Sequence, residues 1–303
     1  MSFTSVVKNE LSKLELDKIE AITELSAILR NNAKYDKSIK ISTENASVAR
    51  HIFKLFKDLY DVSFKVTVRQ GYNYNKNYIY ILETSCNLDI IKDLDLENSI
   101  PSDFIIGDDT LKRAYIRGLF IASGSINDPK KSRYHLEIIV DSMVYANFIN
   151  DLLNSYDLNS KVIRRDNRYM IYIKEAEKIG DFLRMVGAIN ALLYYEDIRI
   201  YRDHKNMTNR INNCEQANVD KIIMTANNQV NDIELIRDKA GLELLDDKCY
   251  LAANYRLKYR EVSLTELSEI MTIETGVSIT KSGLHHRFNK IKELANKLRE
   301  KDS

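Results

Sequence analysis

Two stretches of this chain carry the same pattern about 97 residues apart. IKISTENASVARHIFKLFKDLYDVSFKVTVR begins at Ile39, and LEIIVDSMVYANFINDLLNSYDLNSKVIRR begins at Leu136. In both, a short strand pattern meets an acidic and polar start, Glu44 and Asn45 in one, Asp141 and Ser142 in the other. Apolar residues then recur at helical spacing: Val48, Ile52, Leu55, Phe56 and Leu59 against Tyr145, Ile149, Leu152 and Leu153. Each spacing predicts a helix with one buried face. A hairpin is predicted next. In the first stretch Phe64, Val66 and Val68 alternate before a turn containing Gly71 and a strand YIYIL from Tyr78; in the second, Lys161 to Arg165 precede a DNR turn and YMIYIK from Tyr169. Upstream of each lies a further helical segment, Glu24 to Ala33 and Arg113 to Asp128, offset by about 91 residues. A chain that twice repeats helix, strands, helix, hairpin, helix is expected to fold as two copies of one α+β unit related by a pseudo-two-fold axis.

Length agrees, since 303 residues at roughly 150 per domain predict two units, or three smaller ones. Hydrophobic residues at 44% and charged ones at 29% describe a soluble globular chain rather than a disordered one. No apolar run approaches the roughly 18 residues of a membrane span. The start MSFTSVVKNELSK places acid and lysine where a secretory signal would be apolar, so a cytoplasmic location is expected. Cys86, Cys214 and Cys249 are far apart, with no CxxC or Cys/His pairing, and are read as reduced thiols rather than a disulfide framework or zinc site. A net charge of +1 argues against electrostatic nucleic-acid binding by the whole surface but not against a local basic patch.

The second upstream helix carries Ala114, Gly118 and Ala122 four residues apart, a stripe that lets another helix backbone approach closely; the counterparts are Thr23, Ala27 and Asn31. Small residues at this spacing occur in many packed helices, but the repeat supplies a second such helix to pack against. IRGLFIASG from Ile116 to Gly124 resembles the LAGLIDADG motif of homing endonucleases, and LSAILRNNA from Leu25 to Ala33 resembles a worn copy of it. In that family the penultimate acidic residue of each copy binds the divalent metal that activates water for phosphodiester cleavage. Here those positions are Asn32 and Ser123, which supply no charged oxygen, and Asp128 lies past the helix end on the following loop. The resemblance therefore implies the fold without the catalytic pair, and neither metal nor other cofactor is expected. Only a few residues separate Ala33 from the strand at Ile39, so the first hairpin of the first copy is expected to be shortened and its sheet incomplete.

From Tyr194 to Gln229 the chain is rich in Asn and basic residues, and reads as a linker followed by a helix that ends at Gly241. Near the C-terminus, Ser263 followed three residues later by Glu266 is a capping-box signal, and Leu264, Leu267, Ile270 and Met271 share one face. A turn around Thr275 and Gly276 is predicted, then a second helix capped by Thr280 with Leu284, Phe288, Ile291, Leu294, Ala295 and Leu298 on its apolar face. From Ser278 onward seven Lys and Arg stand against three acids, in a chain almost neutral overall. A helix-turn-helix presents the early part of its second helix to the major groove. The candidate DNA-binding residues are accordingly Ser278, Thr280, Lys281, Ser282, His285, His286 and Asn289 toward base edges, with Arg287 and Lys290 toward phosphates. The plainer alternative is a solvated basic face on an ordinary helical hairpin. His285 and His286 are adjacent, point about 100° apart on a helix, and cannot chelate one metal together.

Five fragments in order, FTSVVKNEL from Phe3, STENASVAR from Ser42, AYIRGLFIASGSINDP from Ala114, EDIRIYRDHKNMTNRINNCEQAN from Glu196 and SITKSGLHHRFNKI from Ser278, resemble the WhiA family of bacterial transcription regulators across essentially the whole chain. The resemblance implies a two-copy LAGLIDADG-like αββαββα domain without nuclease activity, joined to an all-α helix-turn-helix unit similar to the promoter-recognising region of sigma factors. It also implies roles in sporulation, cell division or chromosome segregation. The expected boundaries are 1–110 and 111–205 for the two repeats, 206–225 for a linker, and 226–303 for the C-terminal unit with its helix-turn-helix at about 262–298. MTIETGVSIT between the last two helices reads as an insertion that lengthens the turn. Asn206, Asn209, Arg210, Asn213 and Asn218 match the family's signature segment; either a hinge whose side chains satisfy loop backbone or an accessory contact to DNA or protein fits them. The leading expectation is a non-enzymatic, sequence-specific regulator that binds double-stranded DNA. An endonuclease with relocated ligands is the runner-up, with only Glu24, Asp128 and Glu137 near the right elements. A scaffold for a sigma factor or RNA polymerase is the third.

Overall fold

The computed structural model describes residues 2–35, 38–70, 78–85, 87–131 and 133–300, in two compact units, Met1–Asp203 and His204–Ser303. In the first unit α1 (Phe3–Leu11) precedes a copy made of α2 (Lys18–Asn32), β1 (Ala33–Tyr35), β2 (Ser38–Thr43), α3 (Ala46–Tyr60), β3 (Lys65–Gln70), β4 (Tyr78–Ser85) and α4 (Leu88–Asp93). After α5 (Asp103–Ile106) the order returns as α6 (Asp109–Ser123), β5 (Gly124–Ile126), β6 (Leu136–Val140), α7 (Met143–Asn154), β7 (Lys161–Arg165), β8 (Arg168–Ile173) and α8 (Ala176–Val186). Each copy forms a four-stranded antiparallel sheet, ordered β1-β2-β4-β3 and β5-β6-β8-β7. The expected αββαββα repeat is thus present twice.

Local signals explain these elements. Asp17 and Glu20 close a capping box on α2, and the side chains of Asn45 and Asp108 accept backbone N–H groups at the starts of α3 and α6. In the sheets Ile39, Ile41, Leu136, Ile138 and Val140 alternate with more exposed neighbours and turn into the core. At the centre α2 lies against α6, and a Cβ on Gly118 would fall 2.3 Å from the carbonyl oxygen of Glu24, so the small-residue stripe marks a real backbone approach. Glu24 is fully buried there, held by Arg117 of α6 and His51 of α3.

Two expectations for this unit are corrected. The first sheet is not incomplete: β1 pairs with β2 from Ala33↔Ile41 to Tyr35↔Ile39, the same three-residue overlap that β5 makes with β6. Only the connection is short. The helical pattern read through Asp128 stops at Ser123, because Gly124 turns extended and Gly124–Ile126 enters the sheet. The Gly71 turn and Cys86 lie outside the described residues.

The helix α9 (Ile189–Ala240) ends in the second unit, where Gly241 at φ 80° halts it. A short 3₁₀ turn, α10 (Asp247–Lys258), α11 (Leu264–Thr275) and α12 (Lys281–Glu300) complete that unit. Its core joins Ile233 and Ile236 of α9 to Cys249, Ala252 and Ala253 of α10, Leu267 and Met271 of α11, and Leu284, Phe288, Ile291 and Ala295 of α12. The expected linker at 206–225 is helical throughout, and so is the backbone that the hinge reading of Asn206, Asn209, Arg210, Asn213 and Asn218 had placed in a loop. Helical hydrogen bonds are local and need no apolar face, which is why the paucity of apolar residues misled. The expected long turn is corrected as well: Met271 to Thr275 complete α11, leaving only Gly276 to Thr280 between the helices.

Candidate nucleic-acid interface

The turn between α11 and α12 is fixed by threonines. The Thr272 hydroxyl accepts the Ile279 N–H at 3.0 Å and donates to the Ile279 carbonyl at 3.3 Å, and Thr275 accepts the Val277 N–H at 3.3 Å. Gly276, at φ 70°, makes the left-handed step that ends α11. Ile279 is buried as a plug, and the Thr280 hydroxyl accepts the Gly283 N–H at 3.1 Å to start α12. At the other end of α11, Ser263 and Glu266 exchange hydrogen bonds of 3.2 and 2.7 Å; accepting the Ser263 N–H holds the Glu266 carboxyl below its usual range.

A residue that sequence patterning missed sets the approach to α11. Arg256 on α10 is 1% exposed, donates through Nη1 to the carbonyls of Tyr259 and Val262 at 3.2 and 2.7 Å, and lies 5.5 Å from the centre of the Phe288 ring. Burial lowers its pKa, a direction that leaves a guanidinium protonated. The only signal in the sequence was an arginine on the face of α10 that also carries Cys249, Ala252 and Ala253. Lys258 and the Tyr259 hydroxyl close the same corner on Glu274, at 3.0 and 2.7 Å.

With this frame set, Leu284, Phe288 and Ile291 bind α12 to the core and leave its opposite side open. Ser278, Thr280, Lys281, Ser282, His285, His286, Asn289 and Lys290 are all exposed around the start of α12. Lys281 makes no ion pair among the described residues, whereas Lys290 sits 3.6 Å from Asp246 and Arg299 is held by Asp232 at 2.6 Å. Arg287 is only half exposed, and its Nη1 is buried without a hydrogen-bond partner. A buried donor left unsatisfied is costly to the free protein. Asn206, Asn209, Arg210 and Asn213 lie on exposed turns of α9, where their side chains satisfy no loop.

At the ends of the paired helices of the first unit no acid takes the expected metal-binding place. Asn32 donates to the Ala122 carbonyl at 3.1 Å, crossing between the copies, and the Ser123 hydroxyl folds back toward the Leu119 carbonyl. Glu24 is engaged by Arg117 and His51; Asp128 accepts the Lys130 N–H at 2.9 Å; Glu137 meets His135 at 3.1 Å on the sheet. Among the described residues no three His, Cys, Asp or Glu converge, and no helix is long and apolar enough to cross a membrane.

Two LAGLIDADG-like copies followed by a helix-turn-helix define a class of protein, and three family models match it segment by segment: the WhiA N-terminal LAGLIDADG-like domain at 18–96, the WhiA LAGLIDADG-like domain at 112–205, and the WhiA C-terminal HTH domain at 208–295. The chain is 42% identical over 311 residues to the "Probable cell division protein WhiA" of Staphylococcus epidermidis and of Staphylococcus aureus, spanning 99% of this chain and 98% of each relative. Full-length DUF199/WhiA from Thermatoga maritima superposes with a TM-score of 0.61 at 25% identity, over 98% of this chain and 99% of that one. The chain belongs to the WhiA family.

Proposed function

We propose that this chain is a sequence-specific DNA-binding regulator, acting in cell division as the names of its relatives say, and that its repeat domain retains the LAGLIDADG fold without cleaving DNA. The observation that carries the reading is the open N-terminal half of α12, where Lys281, Ser282, His285, His286 and Asn289 stand exposed on a helix fixed from behind by Phe288 and Arg256. A rigid helix with short polar and imidazole side chains suits base-edge readout, while the exposed Lys281 and Lys290 and the half-exposed Arg287 suit phosphates. Ser278 and Thr280 at the turn, and Asn206, Asn209, Arg210 and Asn213 on α9, add polar positions for accessory contacts. A nucleoid location follows from this reading, and transcription regulation is the activity such a module serves. Contact of the repeat domain with a sigma factor or RNA polymerase is compatible with it and needs its own pull-down.

Footprinting the full chain on genomic DNA tests the assignment: protected sites should share a sequence, and the protection should vanish when His285, His286 and Asn289 are changed together to Ala. Protection that survives this triple change would remove α12 from the interface. A Mg²⁺-dependent nicking assay addresses the absence of nuclease activity. Cleavage that disappears in Glu24→Gln, Asp128→Asn or Glu137→Gln would establish the endonuclease instead.

A further inference from the structure

Residues 203–225 of α9 are exposed without a break, and the part from His204 onward lies wholly within the second unit. This segment is a poor helix by itself. Five of the thirteen residues from Asn206 to Asn218 are Asn, a weak helix former. Among the described residues its side chains pair chiefly at one place, Gln216 to Asp220 at 2.8 Å. A helix with low propensity and no packing within its own unit presents a surface that a partner can stabilise.

The pattern on its surface says which partner. His204, Met207, Ile211, Cys214 and Asn218 recur at intervals of three, four, three and four, which is the a/d stripe of a coiled coil. Met207 is 64% and Ile211 47% exposed, and Cys214 is an exposed free thiol. With His204, Ile211 and Asn218 at a and Met207 and Cys214 at d, Arg210 falls at g and Glu215 at the following e. Neither makes an ion pair within the chain among the described residues. In a parallel, in-register pair of identical helices a g residue faces the e residue five positions on in its partner, so Arg210 meets Glu215 twice by symmetry. The same register stacks each layer on itself, Ile211 on Ile211, Cys214 on Cys214 and Asn218 on Asn218, whereas antiparallel pairing sets Asn218 against Met207. Beyond Asn218 the a and d positions fall on Lys221, Thr225 and Asn228, so the seam ends there, and the helix turns Ala226, Val230 and Ile233 inward instead, where they are buried. We infer that His204 to Asn218 is a parallel homodimerisation segment, its occupant a second copy of this chain. Such pairing brings two helix-turn-helix units to one end of the coil, suited to a target with two half-sites.

The native thiol provides the test, on the full chain. Mild oxidation followed by non-reducing electrophoresis is expected to give a disulfide-linked dimer that is lost in Cys214→Ser. Moving the thiol to the outer f position, Asn209→Cys in the Cys214→Ser background, is expected to abolish it too. In sedimentation velocity Arg210→Glu and Glu215→Arg should each shift the chain toward monomer, and the double exchange should restore the dimer. Cross-linking through position 209 as efficient as through 214, or cross-linking only between Cys214 and an introduced Ile211→Cys, overturns the parallel register. A chain that stays monomeric at every concentration and on its footprinted DNA overturns the dimer.

Discussion

Lys281 and Arg287 sit six residues apart on α12 and illustrate how differently two cations can be prepared for the same ligand. Lys281 is exposed and unpaired among the described residues, so it contributes as a solvated charge. Its replacement by Ala is expected to weaken DNA binding uniformly across sequences and to reduce the slope of log affinity against log salt by roughly one counterion. Arg287 holds Nη1 in a buried, unsatisfied position, so Arg287→Ala should cost affinity while slightly relieving the free protein. Titrations at several salt concentrations, together with urea unfolding of the free variants, separate the two; equal affinity in wild type and both variants would remove the helix from the interface. Arg256 is the opposite case, a buried cation whose partners are backbone carbonyls. Arg256→Met keeps the length but strands the carbonyls of Tyr259 and Val262, and is expected to destabilise the second unit by about 2–3 kcal/mol. A midpoint unchanged in denaturant would show the corner to be held by Lys258, Tyr259 and Glu274 alone.

At the level of elements, the signals that could be read in advance were local ones. The capping box at Ser263, the strand alternation at Leu136 to Val140 and the repeated helix spacings each act within a few residues, and the structure carries all of them. What could not be read was set by chemistry at a distance or by none at all. Arg256 finds its role only when α12 brings Phe288 to it, and Glu24 looked like a possible metal ligand until α3 and α6 supplied His51 and Arg117. The helical course of 206–225 was hidden because its sequence lacks both propensity and a self-facing apolar stripe. The candidate residues on α12 were legible because a helix start, its cap and its buried face together fix which side chains face outward. Packing of α2 on α6 yields a sharper expectation. Gly118→Val places two methyl groups where the Glu24 carbonyl already lies within 2.3 Å of the Cβ position. The helices must part, at a cost of about 1–3 kcal/mol or more from overpacking, with further loss as the Glu24 to Arg117 contact opens. Thermal unfolding checks this directly, and a variant as stable as the wild type would mean the two helices tolerate separation.

For the whole molecule, the two units own separate cores: the residues buried from Phe3 to Tyr195 and those buried from Ile233 to Ala295 share no member. Chains built this way need not unfold in one step, so a single unfolding free energy is not defined for them in advance. Cys249 offers a reporter for the second unit alone. It is 3% exposed, and burial, followed by the Asp246 carboxylate, pushes its thiol up from 9.0 to about 11. Because the native state holds the proton more tightly than the unfolded chain, this thiol adds stability that is present below pH 9 and lost as pH rises from 9 to about 11. Alkylation requires the thiolate, so at pH 8.5 Cys249 should react only through opening of its unit. Labelling in rising denaturant, resolved by peptide mass, should therefore show Cys249 modified along the transition of the second unit. Near-ultraviolet signals from the first unit, whose core holds Tyr115, Phe120, Phe182 and Tyr195, should follow their own midpoint. Arg256→Met should move the Cys249 transition and leave the other in place, and Gly118→Val should do the reverse. If both probes shift together in either variant, the two cores unfold as one cooperative body, and substitutions in the repeat domain would then bear on DNA recognition through stability alone.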